Sequence, residues 1–167
     1  GPLADRRLIA IPMQTASMQA GDGRSPPRVD LIDAHQQPAL AQAAALMRDY
    51  AASLDISLDF QDFDSELAGL PGDYAPPGGA VLLARLAGKP CGCVAMRPLE
   101  QPGICEMKRL FVSPDARRTG AGRLLAQAII DRARQAGYQA MRLDTLASMA
   151  RARALYRSLG FMPIGPY

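Results

Sequence analysis

Apolar positions recur along the chain with two different periods, and the changes of period mark its elements. Arg28–Asp33 alternates as a short strand. In Ala39–Leu54 the residues Leu40, Ala43, Ala44 and Met47 fall at helical spacing, and Asp64–Leu70 is a shorter helical piece halted by Pro71-Gly72. Residues 71–79 are rich in turn formers and predict a loop. Ala80–Ala87 is then apolar almost throughout, Gly88-Lys89 marks a tight hairpin turn, and Cys91–Pro98 returns as a second strand. Ile104–Val112 is a third. Gly120–Gln135 carries a helical stripe of Leu124, Leu125, Ala128 and Ile129, and Gly137 ends it. Gln139–Asp144 is another strand. Ser148 is placed to cap a last helix, in which Ala152, Leu155, Tyr156 and Leu159 share a face before Gly160. Phe161–Ile164 closes the pattern as a strand.

The order of elements is strand, helix, helix, three strands, helix, strand, helix, strand. Strands joined first by short turns and then through helices imply a mixed sheet with helices packed on it. Residues 1–28 show no periodicity and contain Gly21, Gly23, Pro26 and Pro27, so a flexible tail is expected there, followed by one domain over 29–167. A length of 167 residues suits one core, and with 49% apolar residues but no Trp that core is aliphatic. No stretch approaches the roughly 20 apolar residues of a membrane helix, and Leu8–Met13 is too short and broken for a secretory segment; a soluble cytoplasmic protein is expected.

Charge divides the chain. Residues 1–100 carry 8 Lys/Arg against 12 Asp/Glu, and residues 101–167 carry 11 against 4. The basic half suits an anion. Nucleic acid is disfavoured because no interleaved aromatics or nucleic-acid motif accompany the charge. The three cysteines, Cys91, Cys93 and Cys105, imply a reducing compartment. With His35 the only histidine and remote in sequence, they predict buried small side chains and no metal site.

The most informative stretch runs from Leu110 to Gly122: a strand, a turn, then a helix entry rich in Gly and Arg. The first turn of a helix presents N–H groups without internal partners. Its dipole adds roughly 0.3–1 kcal/mol for an anion at a surface site. Glycines let a pyrophosphate approach the backbone, and Arg117, Arg118 and Arg123 add positive charge. A Walker loop does not fit, since Arg123-Leu124 follow Gly122 where Lys and Ser/Thr are required; nor does a dinucleotide fingerprint, since Leu125 stands where Gly or Ala is needed.

Arg117-Arg118-Thr119-Gly120-Ala121-Gly122 resembles the Arg/Gln-x-x-Gly-x-Gly/Ala signature of the GCN5-related N-acetyltransferases. Lys108–Pro114 looks like that family's fourth strand, and Ala152–Phe161 like its second recognition block. Three blocks in order, over residues 80–164, make the resemblance specific. It implies a mostly antiparallel mixed α/β sheet with helices on both faces, the GNAT-like acyltransferase fold, and transfer of an acetyl group from acetyl-CoA to a primary amine in a ternary complex. The amine is a small molecule or a peptide, neither nucleic acid nor membrane is a partner, and a homodimer is compatible with the family. A CoA-binding sensor without turnover is the alternative.

By the same resemblance, the backbone of Leu110, Phe111 and Val112 pairs with the pantetheine arm, and an N–H there, that of Leu110, holds the thioester oxygen. The segment Arg117, Arg118, Thr119, Gly120, Ala121, Gly122 holds the pyrophosphate, with Arg123 beside it. Tyr156 matches the tyrosine that protonates the departing thiolate. Glu106, on the strand before the signature, is the candidate general base, directly or through water. At pH 7, freeing the lone pair of an amine with a pKa near ~10.4 costs about 4.6 kcal/mol, whereas a thiolate leaves readily, so the base matters more than the acid. Met149 stands where many relatives carry Asn. Seven acidic residues and no basic one lie between Arg48 and Arg85; they are read as a solvated acidic face or, since the resemblance implies that the acceptor site is built there, as a site attractive to a cationic amine.

Overall fold

The computed structural model describes residues 6–12, 29–53, 60–146 and 149–167. Seven strands, β1 (Arg6–Pro12), β2 (Val29–Asp33), β3 (Ala80–Leu86), β4 (Lys89–Pro98), β5 (Ile104–Val112), β6 (Ala140–Leu146) and β7 (Met162–Pro163), form one sheet in the order β2-β3-β4-β5-β6-β1-β7. Four helices accompany them: α1 (Ala39–Ser53), α2 (Phe60–Ala68), α3 (Ala121–Gln135) and α4 (Ala150–Ser158). All strand pairs are antiparallel except β5–β6, whose parallel pairing requires the crossover that α3 supplies.

The near-continuous apolar run of β3 follows from burial on both faces. Val81 and Leu83 point into a core shared with Ala43, Met47, Phe63 and Leu67 of α1 and α2. Leu82 and Ala84 point into the opposite core, with Leu125, Ile129, Ala133 and Tyr156 of α3 and α4. Gly92 lets α3 lie close on β4: a Cβ there would stand 2.9 Å from Leu125 Cδ1 and 2.9 Å from the Phe111 carbonyl. No described helix is long and apolar enough to cross a membrane.

Two expectations are corrected. Residues 6–12, expected within a flexible tail, form β1, paired with β6 from Arg6 opposite Leu146 to Pro12 opposite Ala140 and also with β7. The apolar run Leu8–Ile11 has its partners more than 120 residues away, beyond the reach of any local pattern; Ile11 is buried in the core. Residues 1–5 and 13–28 lie outside the described residues, as does the proposed cap Ser148. The N-cap position of α4 is Met149, with no side-chain cap hydrogen bond. The hairpin turn falls on Ala87-Gly88, both at positive φ, so Lys89 already belongs to β4.

Candidate active site

The site exists because β5 and β6 separate. They pair only at Ile104–Glu106 against Ala140–Arg142, and beyond that register the strands part. A second irregularity lies on the other side of β5. Cys93 faces Phe111 and Ala95 faces Lys108, so Arg109 and Leu110 together oppose Val94 in a bulge, with Arg109 at φ 61°. The bulge takes one β5 peptide out of the ladder and re-aims the side chains after it.

The notch opens into a cavity of about 700 Å³. Met107–Val112 of β5 form one wall, Leu143–Thr145 of β6 the facing wall, and Leu155 and Tyr156 of α4 and Tyr50 of α1 border it. The loop before α3 closes one end with Ala116, Arg117, Arg118, Gly120, Ala121 and Gly122.

Hydrogen bonding in that loop separates used amides from open ones. The N–H groups of Arg117, Thr119 and Ala121 donate to Pro114 O, Ala116 O and Thr119 Oγ1. Those of Arg118, Gly120, Gly122 and Arg123 have no acceptor among the described residues. Arg118 (φ 71°) and Gly120 (φ 84°) flank Thr119, and alternation of handedness is the backbone pattern of which anion-binding nests are made. A Cβ on Gly122 would meet only Val112 Cγ2 at 3.6 Å and Leu155 Cδ2 at 3.9 Å, so the space over its backbone is left for a ligand. These open donors at a helix start fit a pyrophosphate.

Ten of the twelve sequence candidates lie on or behind these walls; Thr119 and Arg123 are turned elsewhere. The Thr119 hydroxyl donates to Ala116 O, and the Arg123 guanidinium donates to Ser158 Oγ at 2.7 Å. Tyr156 is 7% exposed, packs edge-on against Phe161 at 5.7 Å, and borders the cavity. Burial holds its hydroxyl above the usual tyrosine pKa, and Tyr50 and Asp144 push the same way.

Glu106 is buried, and its carboxylate is engaged on both oxygens. Arg97 Nε and Nη2 reach Oε1 at 3.0 and 2.9 Å, Tyr167 donates to Oε2 at 2.7 Å, and Lys108 Nζ lies 3.9 Å away. It sits behind the cavity rather than on its surface. Asp144, which sequence reasoning passed over, is a carboxylate on the cavity wall. The only signal for it in the sequence is its place at the end of the predicted strand after the signature helix, and its relevance depends on a strand separation that no periodicity reveals.

A second cavity, of about 660 Å³, adjoins the first across Lys108 and Arg109, which line both. Phe63, Glu66, Tyr74 and Arg97 complete its floor and walls. Among the described residues the acidic stretch follows the solvated reading, with one exception, and the side chain of Asp62 on α2 lies outside them. Asp49, Asp64 and Asp73 are exposed, and Glu66 is turned inward but committed: Arg109 Nε and Nη2 donate to its Oε2 at 3.0 and 2.7 Å, and the Tyr74 hydroxyl to its Oε1. Asp55 and Asp59 lie outside the described residues.

Comparison with known proteins places the chain in one family and one fold. The sequence profile of the "Acetyltransferase (GNAT) family" matches residues 43–161. An uncharacterized N-acetyltransferase of Schizosaccharomyces pombe is 43% identical over 123 residues, 73% of this chain and 76% of that protein. The IAA acetyltransferase of Azospirillum brasilense is 43% identical over 96 residues, 56% of this chain and 63% of its own length. A GNAT-family acetyltransferase structure from Staphylococcus aureus superposes with a TM-score of 0.69 at 18% identity, over 82% of this chain and 86% of that one, and so shares the fold.

Proposed function

The chain belongs to the acetyltransferase (GNAT) family and is an N-acetyltransferase, and from that premise we propose that it moves the acetyl group of acetyl-CoA directly to a primary amine in the notch between β5 and β6. The observation that carries this reading is one continuous cavity. In it the open amides of Arg118, Gly120 and Gly122, the stretch Leu110–Val112 on the side where β6 no longer pairs with β5, and the Tyr156 side chain share a boundary. Acetyl-CoA supplies the activated acetyl thioester.

The open amides, with the side chains of Arg117 and Arg118, hold its diphosphate. The backbone of Leu110, Phe111 and Val112 accepts the pantetheine arm as a strand accepts a neighbour. The Leu110 N–H, beside the bulge, is aimed at the thioester oxygen, where negative charge develops during transfer. Tyr156, protonated in the neutral range as any tyrosine is and held so more firmly by burial, is the donor to the leaving sulfur.

The proton of the attacking amine goes to a carboxylate. Asp144 stands on the cavity wall and is the first candidate to take it. Glu106 is a second reading, favoured by its proximity to Lys108, which faces the cavity; ion-paired to Arg97, it acts only across intervening water. Covalent transfer through a cysteine is disfavoured. All three thiols are buried, and burial raises the pKa of each, away from the reactive thiolate. The free thiols and a CoA substrate support a cytoplasmic location.

Release of CoA thiol from acetyl-CoA across a panel of amines tests the reading. The wild type turns over at least one amine. Tyr156→Phe and Asp144→Asn each lower kcat by about 10²-fold or more while the KM for acetyl-CoA stays within about threefold. If Glu106→Gln loses far more than Asp144→Asn, the base is Glu106. Absence of thiol release with every amine, or variants indistinguishable from wild type, overturns the proposal.

A further inference from the structure

The floor of the second cavity is cationic. Arg97 of β4 and Lys108 and Arg109 of β5 converge there. Each arginine is oriented by a carboxylate behind or beside it: Glu106 takes Arg97 through Nε and Nη2, and Glu66 takes Arg109 through the same two nitrogens. Phe63 lies against the Arg109 guanidinium, 4.9 Å from ring centroid to Cζ. Both guanidinium planes are therefore fixed, and neither Nη1 has a partner among the described residues. Lys108 has no hydrogen bond to a described residue, and its nearest carboxylate oxygen, on Glu106, stands at 3.9 Å. Burial lowers its pKa, with Arg109 and Arg97 adding to the effect against the pull of Glu106 and Asp144.

Among the described residues that line the cleft, Arg97, Lys108 and Arg109 face Glu66, which is committed to Arg109, and Asp73 on the exposed rim; Glu106 and Asp144 act on the cations from outside it. A cationic amine entering this cleft meets like charge; an anion meets two oriented guanidinium groups and the Lys108 ammonium. Lys108 and Arg109 also line the acetyl-transfer notch, so the anion site and the transfer site are separated by one side chain.

Resting on the acetyltransferase reading, we propose that the acceptor is a small amino carboxylate, a free amino acid, whose carboxylate is held by Arg97, Lys108 and Arg109 while its amine enters the notch. The planar carboxylate matches the guanidinium nitrogens left open, and its charge balances the floor. Glu66 and Glu106 act as positioning residues for the two arginines. Peptide N-termini and polyamines, which bring no carboxylate to this distance, are poor acceptors.

The test compares the proteinogenic amino acids, each offered as the free acid and as its C-terminal amide, with spermidine alongside. Thiol release from acetyl-CoA is the readout. At least one free acid exceeds its amide by about 10²-fold or more in kcat/KM, mostly through KM, and Lys108→Gln shrinks that ratio below about tenfold. Equal or better turnover of amides or spermidine overturns the inference and leaves the transferase reading standing. If no amine is turned over, the transferase reading fails, and calorimetry decides this inference separately: CoA-loaded wild type that binds the acid and its amide alike contradicts it, and preference for the acid that is lost in Lys108→Gln upholds it.

Discussion

Tyr156 shows how a residue's chemistry is set by where the chain folds it. Its helical spacing with Ala152 and Leu159 is equally a core pattern, and only the recognition block marked it as more. The structure gives it both properties: buried against Phe161, yet on the wall of the notch. Asp144 and Arg97 were not legible, because their meeting at the site depends on where β5 leaves β6 and on the bulge at Arg109. The three cysteines were legible as buried small side chains, and two of them carry a measurable consequence. Burial pushes the thiols of Cys93 and Cys105 up to about 12. An unfolded thiol ionises near ~8.5. Below that value both states are protonated and the contribution is intact; as pH climbs toward the folded value only the unfolded state sheds protons, so stability falls. At pH 10 the loss is roughly 2 kcal/mol per thiol. Urea titrations at pH 7 and pH 10 therefore show a smaller drop in unfolding free energy for the Cys93→Ala, Cys105→Ala double variant than for wild type. Equal drops contradict this.

Among elements, the strands and helices from residue 80 onward follow the sequence pattern to within about two residues, because most are strongly periodic and bounded by Gly or Pro. Such a pattern conveys where an element lies and says little about its defects. The bulge and the short β5–β6 pairing, which together open the notch, are defects of this kind. The acidic stretch around α2 shows the same limit: composition allowed a solvated face or a cation site, whereas the fold spends Glu66 on Arg109 and leaves Asp64 and Asp73 in solvent. The loop entering α3 is the element whose shape the sequence specified best. Gly120 holds φ 84°, a region that costs an L-residue roughly 1–2 kcal/mol. Gly120→Ala is expected to lower stability by about 1 kcal/mol and to raise the KM for acetyl-CoA, since strain there tilts the neighbouring amides. Unchanged thermal midpoint and KM together would show that the turn is not under this constraint.

At the scale of the molecule, β1 was the least legible part. It sits between β6 and β7, with the Tyr167 ring near Arg142 at the same end of the sheet, so the wall behind the notch is built from both ends of the described chain. Only long-range pairing creates it. Deleting residues 1–12 removes its ladder and buried Ile11 and bares the edge of β6, at a cost of several kcal/mol; the thermal midpoint is expected to fall by about 10 °C or more. A truncated chain melting with the full one would show that β1 is dispensable. Acetyl transfer from CoA requires the notch and the α3 entry loop to be one cofactor site. Calorimetric titration of CoA into wild type and into Gly122→Val tests this most directly. The account predicts one-to-one binding by the wild type, weakened at least about tenfold when the valine side chain fills the space above residue 122, with the folded protein otherwise intact by circular dichroism. Equal affinities in the two proteins would contradict it.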